Sequence, residues 1–331
     1  MVDRELGFSL WLDFVERDYL QNKFEPLIQK GIVNGATSNP SIFAAAITSS
    51  EAYKEQLLTL EAKTPKKKYE ALAIDDIKTA AQKLRASYDE GNDGYISIEV
   101  DPFLSRNTES TISEAKRLFA AIGEPNVMIK IPATDAGYEA MYTLLSIGIS
   151  VNATLVFSPQ QAQKSLDAMN RGLKELKQGV GPKAEAVISV FVSRFDKLLD
   201  STLSSKGIGT GRTGILNAAK IYAMVEDNAV SDIRTLFAST GVKDDSLATD
   251  YYIRELLAPH SVNTAPLNTI EQYIQNDATP AKLPIEPKVI DEYFDSLASW
   301  GIDMDAVYNQ LIHEGLKAFE QAFAQMLDNL K

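Results

Sequence analysis

The sequence has 331 residues, of which 45% are hydrophobic and 24% are charged, as in an ordinary globular enzyme. Its net charge of -12 argues against binding to nucleic acid or to an anionic membrane surface, although a small anionic substrate responds to the local field. The absence of cysteine excludes disulfides, thiolate metal sites and cysteine nucleophiles. No stretch approaches the roughly 18 apolar residues of a membrane span, and the starting segment MVDRELGFSL lacks the features of a signal peptide. We therefore expect a cytoplasmic protein without nucleic-acid or membrane partners.

Short runs rich in β-branched and aromatic residues alternate with helical stretches along the chain. We predict strands at residues 8–15, in a run that ends near residue 37, and at 95–100, 127–131, 149–157, 186–192, 234–240 and 261–266. Eight strands separated by helices predict an α/β fold, a single (β/α)₈ TIM barrel. We find no linker between two domains, so we treat residues 1–331 as one domain. The proline-rich segment 276–288 is predicted to begin a C-terminal helical appendage laid over the barrel.

One lysine stands inside the otherwise apolar fourth strand, VMIKIP. By the strand's period of two, residues 127, 129 and 131 share one face, and Lys130 shares the other with Met128. If that second face lines a closed barrel, burial disfavours the ammonium and leaves a free amine that can form a Schiff base with a carbonyl. The alternative is a lysine at a strand end whose amine reaches water.

Other polar side chains fall at or just beyond the carboxyl ends of the predicted strands, where a barrel collects catalytic groups from different strands. They are Asp13, Asn39, Glu99, Asn152, Thr154, Ser189, Arg194 and Ser239. A carboxylate inside an apolar strand needs a cationic or hydrogen-bonding partner. Lys130 is the candidate partner of Asp13 and Glu99.

Some of these residues also have purely structural explanations. Asn39, which precedes a proline, can start a helix, and Asn152 can satisfy the backbone at a bend. Arg194 can be a cation on a helix surface. Both kinds of explanation stay open at this point.

Three other patterns do not indicate chemistry. The segment GIGTGRTG, residues 207–214, has the wrong glycine spacing for a dinucleotide loop and follows a helical stretch rather than a strand. His260 and His313 are far apart in sequence and lack the spacing of metal ligands. The lysines at positions 66–68 are interpreted as a solvated turn. We therefore expect no metal site and no nucleotide cofactor.

The motifs NGATSNPSIF, ISIEVDPFLS, VMIKIPATDAGYEA, SVNATLVFS, ISVFVSR and ASTGVK together resemble those of transaldolases over nearly the whole chain. The resemblance implies a circularly permuted class I aldolase barrel that works without a cofactor. It also implies transfer of a dihydroxyacetone unit, through a Schiff base, from sedoheptulose 7-phosphate to glyceraldehyde 3-phosphate, giving erythrose 4-phosphate and fructose 6-phosphate in the pentose phosphate pathway. The implied partners are small sugar phosphates, and a homodimer is one option for the assembly.

The resemblance also implies catalytic roles. Lys130 would be the Schiff-base nucleophile, and Asp13 would be the acid/base group that takes the proton of the C4 hydroxyl as the C3–C4 bond breaks. Glu99 and Thr154 would hold a water that relays protons while the Schiff base forms and hydrolyses.

Binding roles follow from the same resemblance. Asn39, Asn152 and Ser189 would hydrogen-bond the hydroxyls of the three-carbon fragment. Arg194 would bind the phosphate through its guanidinium fork, and Ser239 would assist it.

The sequence departs from the commoner family pattern at Gly241. Many transaldolases carry a second phosphate-binding arginine at this position, two residues after the serine that matches Ser239. This chain instead resembles a subset with the sequence STG. In that subset, Lys243 or loop amides are expected to contact the phosphate.

Two alternative functions are considered. Fructose-6-phosphate aldolases of the same superfamily release the three-carbon unit to water, and they usually carry tyrosine at the position of Phe191, whose hydroxyl can serve the acid/base step. Phenylalanine leaves that step to Asp13 and favours the transferase. The second alternative is a barrel that binds sugar phosphates without catalysis, and the presence of the lysine, both carboxylates and both asparagines argues against it.

Overall fold

The computed structural model describes residues 2–60, 64–177, 183–243, 246–277 and 279–331, and its strands close into a parallel barrel. Each strand pairs with its neighbours in sequence, and the first pairs with the last, so the order around the barrel is the order in the chain. The predicted (β/α)₈ barrel is therefore confirmed. The strands are β1 (Phe8–Leu12), β2 (Gly35–Thr37), β3 (Ile96–Glu99), β4 (Val127–Pro132), β5 (Val151–Val156), β6 (Ala186–Phe191), β7 (Ile233–Ala238) and β8 (Ser261–Ala265).

Helices connect the strands and extend beyond them at the C-terminal end. None of those in the described residues is long and apolar enough to cross a membrane. A π-helical stretch follows the first of them, and 3₁₀ turns occur at Glu51–Tyr53 and Pro102–Leu104. The helices are α1 (Arg17–Tyr19), α2 (Glu25–Gln29), α3 (Pro40–Ser49), α4 (Lys54–Thr59), α5 (Pro65–Asp89), α6 (Thr108–Ile122), α7 (Asp135–Ser146), α8 (Pro159–Lys177), α9 (Ser193–Ser205), α10 (Thr213–Asp227), α11 (Tyr251–Glu255), α12 (Leu267–Tyr273), α13 (Pro287–Ser299) and α14 (Met304–Asn329).

Side-chain caps start several helices directly after the strands. The Asn39 carboxamide accepts a hydrogen bond from the Ile42 amide at 3.1 Å, and the Thr134 hydroxyl accepts one from the Gly137 amide at 3.1 Å. Each cap satisfies a backbone donor that the first helical turn leaves unpaired, which is worth about 1 kcal/mol. The strand-to-helix connections are therefore short, and they hold the strand ends in place.

The strands present one face to the helices and the other to the barrel interior. Outward-facing residues such as Ile98 and Ile129 belong to the apolar layer beneath the helices. Trp11, Met128 and Val187 point inward and fill the middle of the barrel with apolar volume. Polar side chains therefore occupy the layer above this filling, at the carboxyl ends of the strands.

The other end of the barrel is closed by an indole and an ion pair. A β-carbon at Gly35 would lie 2.4 Å from Nε1 of Trp11, so only glycine leaves room for the indole on the neighbouring strand. The same Nε1 donates to Asp93 at 2.8 Å, and Arg234 donates two hydrogen bonds to that carboxylate at 2.8 and 3.2 Å. A cavity of about 730 Å³ opens at this end, away from Lys130.

The predicted C-terminal appendage is formed by α13 and α14, and residue 278 of the predicted segment 276–288 lies outside the described residues. Helix α14 packs on α3 and reaches across to β5 and α9. Along this path, Phe323 makes edge-to-face contacts with Tyr69 and Phe103 at centroid distances of 5.5 and 6.3 Å. The helix thus lies over the carboxyl end of the barrel.

The predicted first strand was too long. Pairing between β1 and β8 ends at Leu12 opposite Ala265, and the Asp13 amide donates to the Ala265 carbonyl at 2.9 Å. The chain then turns so that the Glu16 carboxylate can cap α1 by accepting from backbone amides. A helix cap therefore ends the strand where the apolar pattern continues.

The prediction of a solvated turn for the lysines at 66–68 was wrong. They lie in the first turn of α5, where Lys66 bridges Asp101 and Glu114 at 2.6 and 2.7 Å. Lys68 donates to the Leu330 carbonyl at 2.9 Å. Lys66 and Lys68 therefore tie α5 to α6 and to the end of α14, while Lys67 is exposed.

Candidate active site

The strand register brings the central polar residues to one level. Lys130 on β4 is opposite Glu99 on β3 and opposite Asn152 on β5. Because the three side chains point inward from adjacent parallel strands, they converge on one space at the carboxyl end of the barrel. The structure therefore places together three residues that the sequence spreads over more than fifty positions.

The Lys130 amine does not reach bulk water. The residue is 6% exposed, and its Nζ donates to the Ser38 carbonyl at 3.3 Å and lies 3.8 Å from Oε2 of Glu99. The ring of Phe319, on α14, covers it with a centroid 5.9 Å from Nζ. The alternative of a lysine reaching solvent at a strand end is therefore wrong.

Glu99 is a buried carboxyl whose oxygens accept no hydrogen bond from the described residues. Burial raises its pKa to about 8, the nearby charge of Asp13 also raises it, and the Lys130 ammonium opposes them. At neutral pH the folded protein therefore holds Glu99 largely as the neutral acid. A group with a pKa near the working pH can both give and take a proton.

Asp13 faces the same space from just beyond β1. Its Oδ1 accepts a hydrogen bond from the Thr37 hydroxyl at 2.7 Å. Burial raises the pKa of the Asp13 carboxyl, and the charges of Lys130 and Lys243, together with the Thr37 hydrogen bond, oppose the rise. These contacts favour the carboxylate, which is the form that accepts a proton, but burial outweighs them and the net shift of the pKa is upward.

Sequence reasoning missed the hydroxyls that support Asp13. Thr37 lies within 2.7 Å of both the Asp13 carboxylate and the Thr264 hydroxyl. Both threonines are buried, at the carboxyl ends of β2 and β8. Because both lie on the inward face of predicted strands, the sequence pattern could have identified them as candidate site residues.

Asn152 is held by hydrogen bonds on both sides of its carboxamide. Its Oδ1 accepts from the Ser189 hydroxyl at 2.6 Å, and its Nδ2 donates to the Ser97 hydroxyl at 3.0 Å. One Nδ2 proton is left for another acceptor. The network spans β3, β5 and β6 and fixes the orientation of the amide, and Ser97 was not predicted as part of it.

Strand β5 carries a bulge beside this network. The register with β6 shifts between Ala153 and Val156, and Leu155 has a φ of +56°, in the left-handed region that a leucine rarely adopts. Leu155 consequently packs with the interior cluster rather than with the outer layer that contains its neighbours. The preceding Thr154 is fully buried, and its hydroxyl has no partner within the described part of the chain.

Asn39 and Phe191 line the site in different ways. The Asn39 Oδ1 caps α3, so the structural explanation of this residue holds, while its Nδ2 makes no hydrogen bond to the described residues. Phe191 ends β6, and its ring lies 5.3 Å from that of Phe157. No hydroxyl stands at this position.

Ser193, which precedes Arg194 in the chain, contacts Ser239 where β6 and β7 leave the barrel. Arg194 lies in the first turn of α9, next to Ser193, whose hydroxyl is 3.0 Å from that of Ser239. Ser239 has a φ of +55°, which turns the chain sharply out of β7. Arg194 has no ion-pair partner in the part of the chain that the structure describes. A half-buried guanidinium at a helix N-terminus is suited to bind a phosphate.

Lys243 occupies the space in front of Gly241. A β-carbon at position 241 would lie 3.1 Å from Cγ of Pro266 and 3.8 Å from Nζ of Lys243. The ammonium of Lys243 therefore sits where a side chain from position 241 would begin, and its charge reaches Asp13. The lysine therefore brings a cation to the loop that contains Gly241.

The fold and these residues together define a class, namely (β/α)₈-barrel proteins with a buried amine beside carboxyl groups at the carboxyl end of the strands. Residues 10–330 match the family model described as Transaldolase/Fructose-6-phosphate aldolase, and the chain belongs to this family. The family resemblance predicted from the motifs is thus confirmed.

Relatives of this family match nearly the whole chain. A transaldolase of Campylobacter jejuni is 47% identical over 331 residues, which cover 98% of this chain and 99% of the relative. A transaldolase of Helicobacter pylori is 44% identical over 325 residues, which cover 97% and 99% of the two chains.

Proposed function

We propose that this protein is a transaldolase that transfers a dihydroxyacetone unit from sedoheptulose 7-phosphate to glyceraldehyde 3-phosphate. The products are erythrose 4-phosphate and fructose 6-phosphate. The observation that carries the proposal is the buried Lys130 amine, 3.8 Å from the Glu99 carboxyl and electrostatically coupled to Asp13. The names of the relatives and the family model support the same reaction.

Lys130 would form the covalent bond to the donor. The neutral amine attacks the ketone carbon, the carbonyl oxygen leaves as water after two protonations, and the C–N bond becomes an iminium. Glu99, whose pKa is about 8, would supply and recover these protons together with the Thr154 hydroxyl. Both groups lack hydrogen-bond partners within the described residues, and such buried atoms are costly unless a substrate or water satisfies them.

Asp13 would act as the acid/base group when the C3–C4 bond breaks and forms. Its carboxylate removes the C4 hydroxyl proton, the C3–C4 bond breaks, and the electron pair moves into the iminium to give a neutral enamine. The first aldehyde then leaves, and the acceptor aldehyde is attacked by the enamine in the reverse of this step. The Thr37 and Thr264 hydroxyls would hold the Asp13 carboxylate toward the substrate.

The remaining polar residues would bind the sugar phosphate. Nδ2 of Asn39 and the unused Nδ2 proton of Asn152 are donors for hydroxyls of the three-carbon unit, with Ser189 fixing the second amide. Arg194 would bind the phosphate as a charged fork, Lys243 would add a second cation, and Ser239 would contribute its hydroxyl.

Borohydride trapping tests the proposal. Reduction in the presence of fructose 6-phosphate should add a dihydroxyacetone-derived mass to the peptide that contains Lys130, because only an iminium is reduced to a stable amine. Lys130→Ala should abolish the added mass. Lys66→Ala is the matched control, since Lys66 is also partly buried between two carboxylates but lies outside the barrel interior. Label on a different lysine would contradict the assignment.

Fructose-6-phosphate aldolase activity is the alternative within the family. It predicts release of dihydroxyacetone at a rate comparable to transfer, and the phenylalanine at position 191 argues against it. A comparison of transfer with release in the presence of glyceraldehyde 3-phosphate separates the two activities.

The location and the assembly stay predictions. A chain without cysteine has no disulfide that would need an oxidising compartment, and this favours the cytoplasm. A homodimer would be tested by analytical ultracentrifugation.

A further inference from the structure

Helix α14 contributes one side chain to the interior of the site. Phe319 is 6% exposed and belongs to the same apolar cluster as Trp11 and Met128, which fill the barrel. Its ring centroid lies 5.9 Å from Nζ of Lys130, within the range of a cation–π contact. The Lys130 amine therefore lies over the face of an aromatic ring.

The close packing of α14 against the barrel explains why the Phe319 ring lies so near the Lys130 amine. Gly315 precedes Phe319 by one helical turn and so lies on the same face of α14. A β-carbon at Gly315 would lie 3.0 Å from Leu155 and 3.4 Å from Phe157. The bulge that turns Leu155 inward and the missing side chain at Gly315 thus let the helix sit directly on the mouth of the barrel.

We propose that Phe319 is a positioning residue of the reaction, whose ring stabilises the cationic Schiff base on Lys130. The inference rests on the proposed transaldolase function and adds to it a residue outside the barrel strands. Phe319 does not exchange protons or bonds with the substrate. It acts through the charge on the nitrogen of Lys130.

The charge balance of the reaction gives the ring its role. The neutral amine and a ketone take up one proton and give an iminium and water, so a positive charge appears on Nζ when the C–N bond forms. The carboxyl neighbour of this charge, Glu99, is held largely neutral at neutral pH because burial raises its pKa to about 8. The negative face of an aromatic ring can then stabilise the cation without competing for its proton.

Replacing Phe319 by leucine and by tyrosine distinguishes the effect of the aromatic face from the effect of apolar volume. Phe319→Leu keeps a large apolar side chain but removes the π face, whereas Phe319→Tyr keeps the face. The readout is the concentration of fructose 6-phosphate that gives half-maximal borohydride trapping, which does not depend on the amount of folded protein. Loss of a cation–π contact at this distance should raise it three- to tenfold in Phe319→Leu, and Phe319→Tyr should stay within twofold of the wild type.

Two controls make the experiment specific. Phe323→Leu alters a buried ring one turn along the same helix, which packs on Tyr69 and Phe103 instead of Lys130, and it should leave the trapping midpoint unchanged. Glucitol 6-phosphate has no carbonyl and cannot form the iminium, so its competitive binding should be equal in the wild type and in Phe319→Leu.

The outcomes are distinguishable from those of the proposed function. If the wild type is trapped at Lys130 but Phe319→Leu has the wild-type midpoint, or if leucine and tyrosine raise the midpoint equally, the role of the ring is refuted while the transaldolase proposal stands. Equal weakening of glucitol 6-phosphate binding would also refute it, because the ring would then contact the sugar. Absence of trapping at Lys130 in the wild type would refute the proposed function itself.

Discussion

Glu99→Gln replaces a buried acid by a neutral amide of nearly the same size. In the folded protein the pKa of Glu99 is about 8, while a glutamate in an unfolded chain has a pKa near 4.5. Between these values the unfolded state releases the proton and the folded state keeps it. The stability that the protonated Glu99 contributes is therefore fully present below about pH 4.5 and is progressively lost as the pH rises toward 8.

The size of the effect follows from the difference between the two pKa values. At 1.36 kcal/mol for each pH unit, the penalty has a ceiling of about 5 kcal/mol. Because the protein and solvent around a buried group relax when it ionises, the observed value is expected below this ceiling, at about 2 to 4 kcal/mol. Glutamine does not titrate, so Glu99→Gln should escape this loss. The variant should unfold with a higher free energy than the wild type at pH 9 and with nearly the same free energy at pH 5.

Urea denaturation at pH 5 and at pH 9 measures the two differences, with equal m-values as the check that both proteins unfold alike. The same variant should lose about two to four orders of magnitude in kcat, because it cannot relay protons. Stability and activity should thus change in opposite directions at alkaline pH. An identical stability difference at both pH values would refute the reasoning, since the carboxyl would then not titrate between them.

The remaining predictions concern other parts of the site. Asp13→Ala should lower the rate of C3–C4 bond cleavage by about two to four orders of magnitude, while borohydride trapping persists. A wild-type cleavage rate in this variant would refute the acid/base role. Arg194→Ala should raise KM for phosphorylated donors about ten- to a hundredfold without affecting dihydroxyacetone, whereas an equal effect on both would make the arginine structural. Lys243→Ala should show a smaller penalty of the same kind if the lysine replaces the missing arginine, and none if loop amides do so. Gly315→Leu should cost about 1 to 3 kcal/mol in urea denaturation by forcing α14 away from Leu155, and an unchanged unfolding midpoint would show that the helix is not seated there.

The barrel and the centre of the site were predictable because both depend on local patterns. The period of two along each strand sets which residues face inward, and parallel strands bring their carboxyl ends to one edge. Lys130, Glu99 and Asn152 could therefore be grouped before any contact was known. What these patterns do not contain is the distance between the side chains, which depends on the register.

Two features depend on packing between distant segments and escaped prediction for that reason. The inward turn of Leu155 requires a left-handed residue in a strand whose sequence, VNATLV, reads as regular. The contact of Phe319 with Lys130 depends on how α14 sits on the barrel, and the apolar pattern of a helix does not say which partner its face will meet. The end of β1 was misplaced for a related reason, because a cap from Glu16 overrides an apolar run.

The covering helix also sets an order of events during biosynthesis. Asn329 donates to Thr48 at 3.1 Å and Lys68 donates to Leu330 at 2.9 Å, contacts between residues 281 and 262 positions apart in the chain. The ribosome therefore releases the strand that carries Lys130 long before the helix that shields it. Until that helix docks, the Lys130 amine lacks the Phe319 ring that covers it in the folded protein. The nascent protein would therefore form no Schiff base at Lys130 until α14 docks on the barrel, and this reaction would begin only when folding is complete.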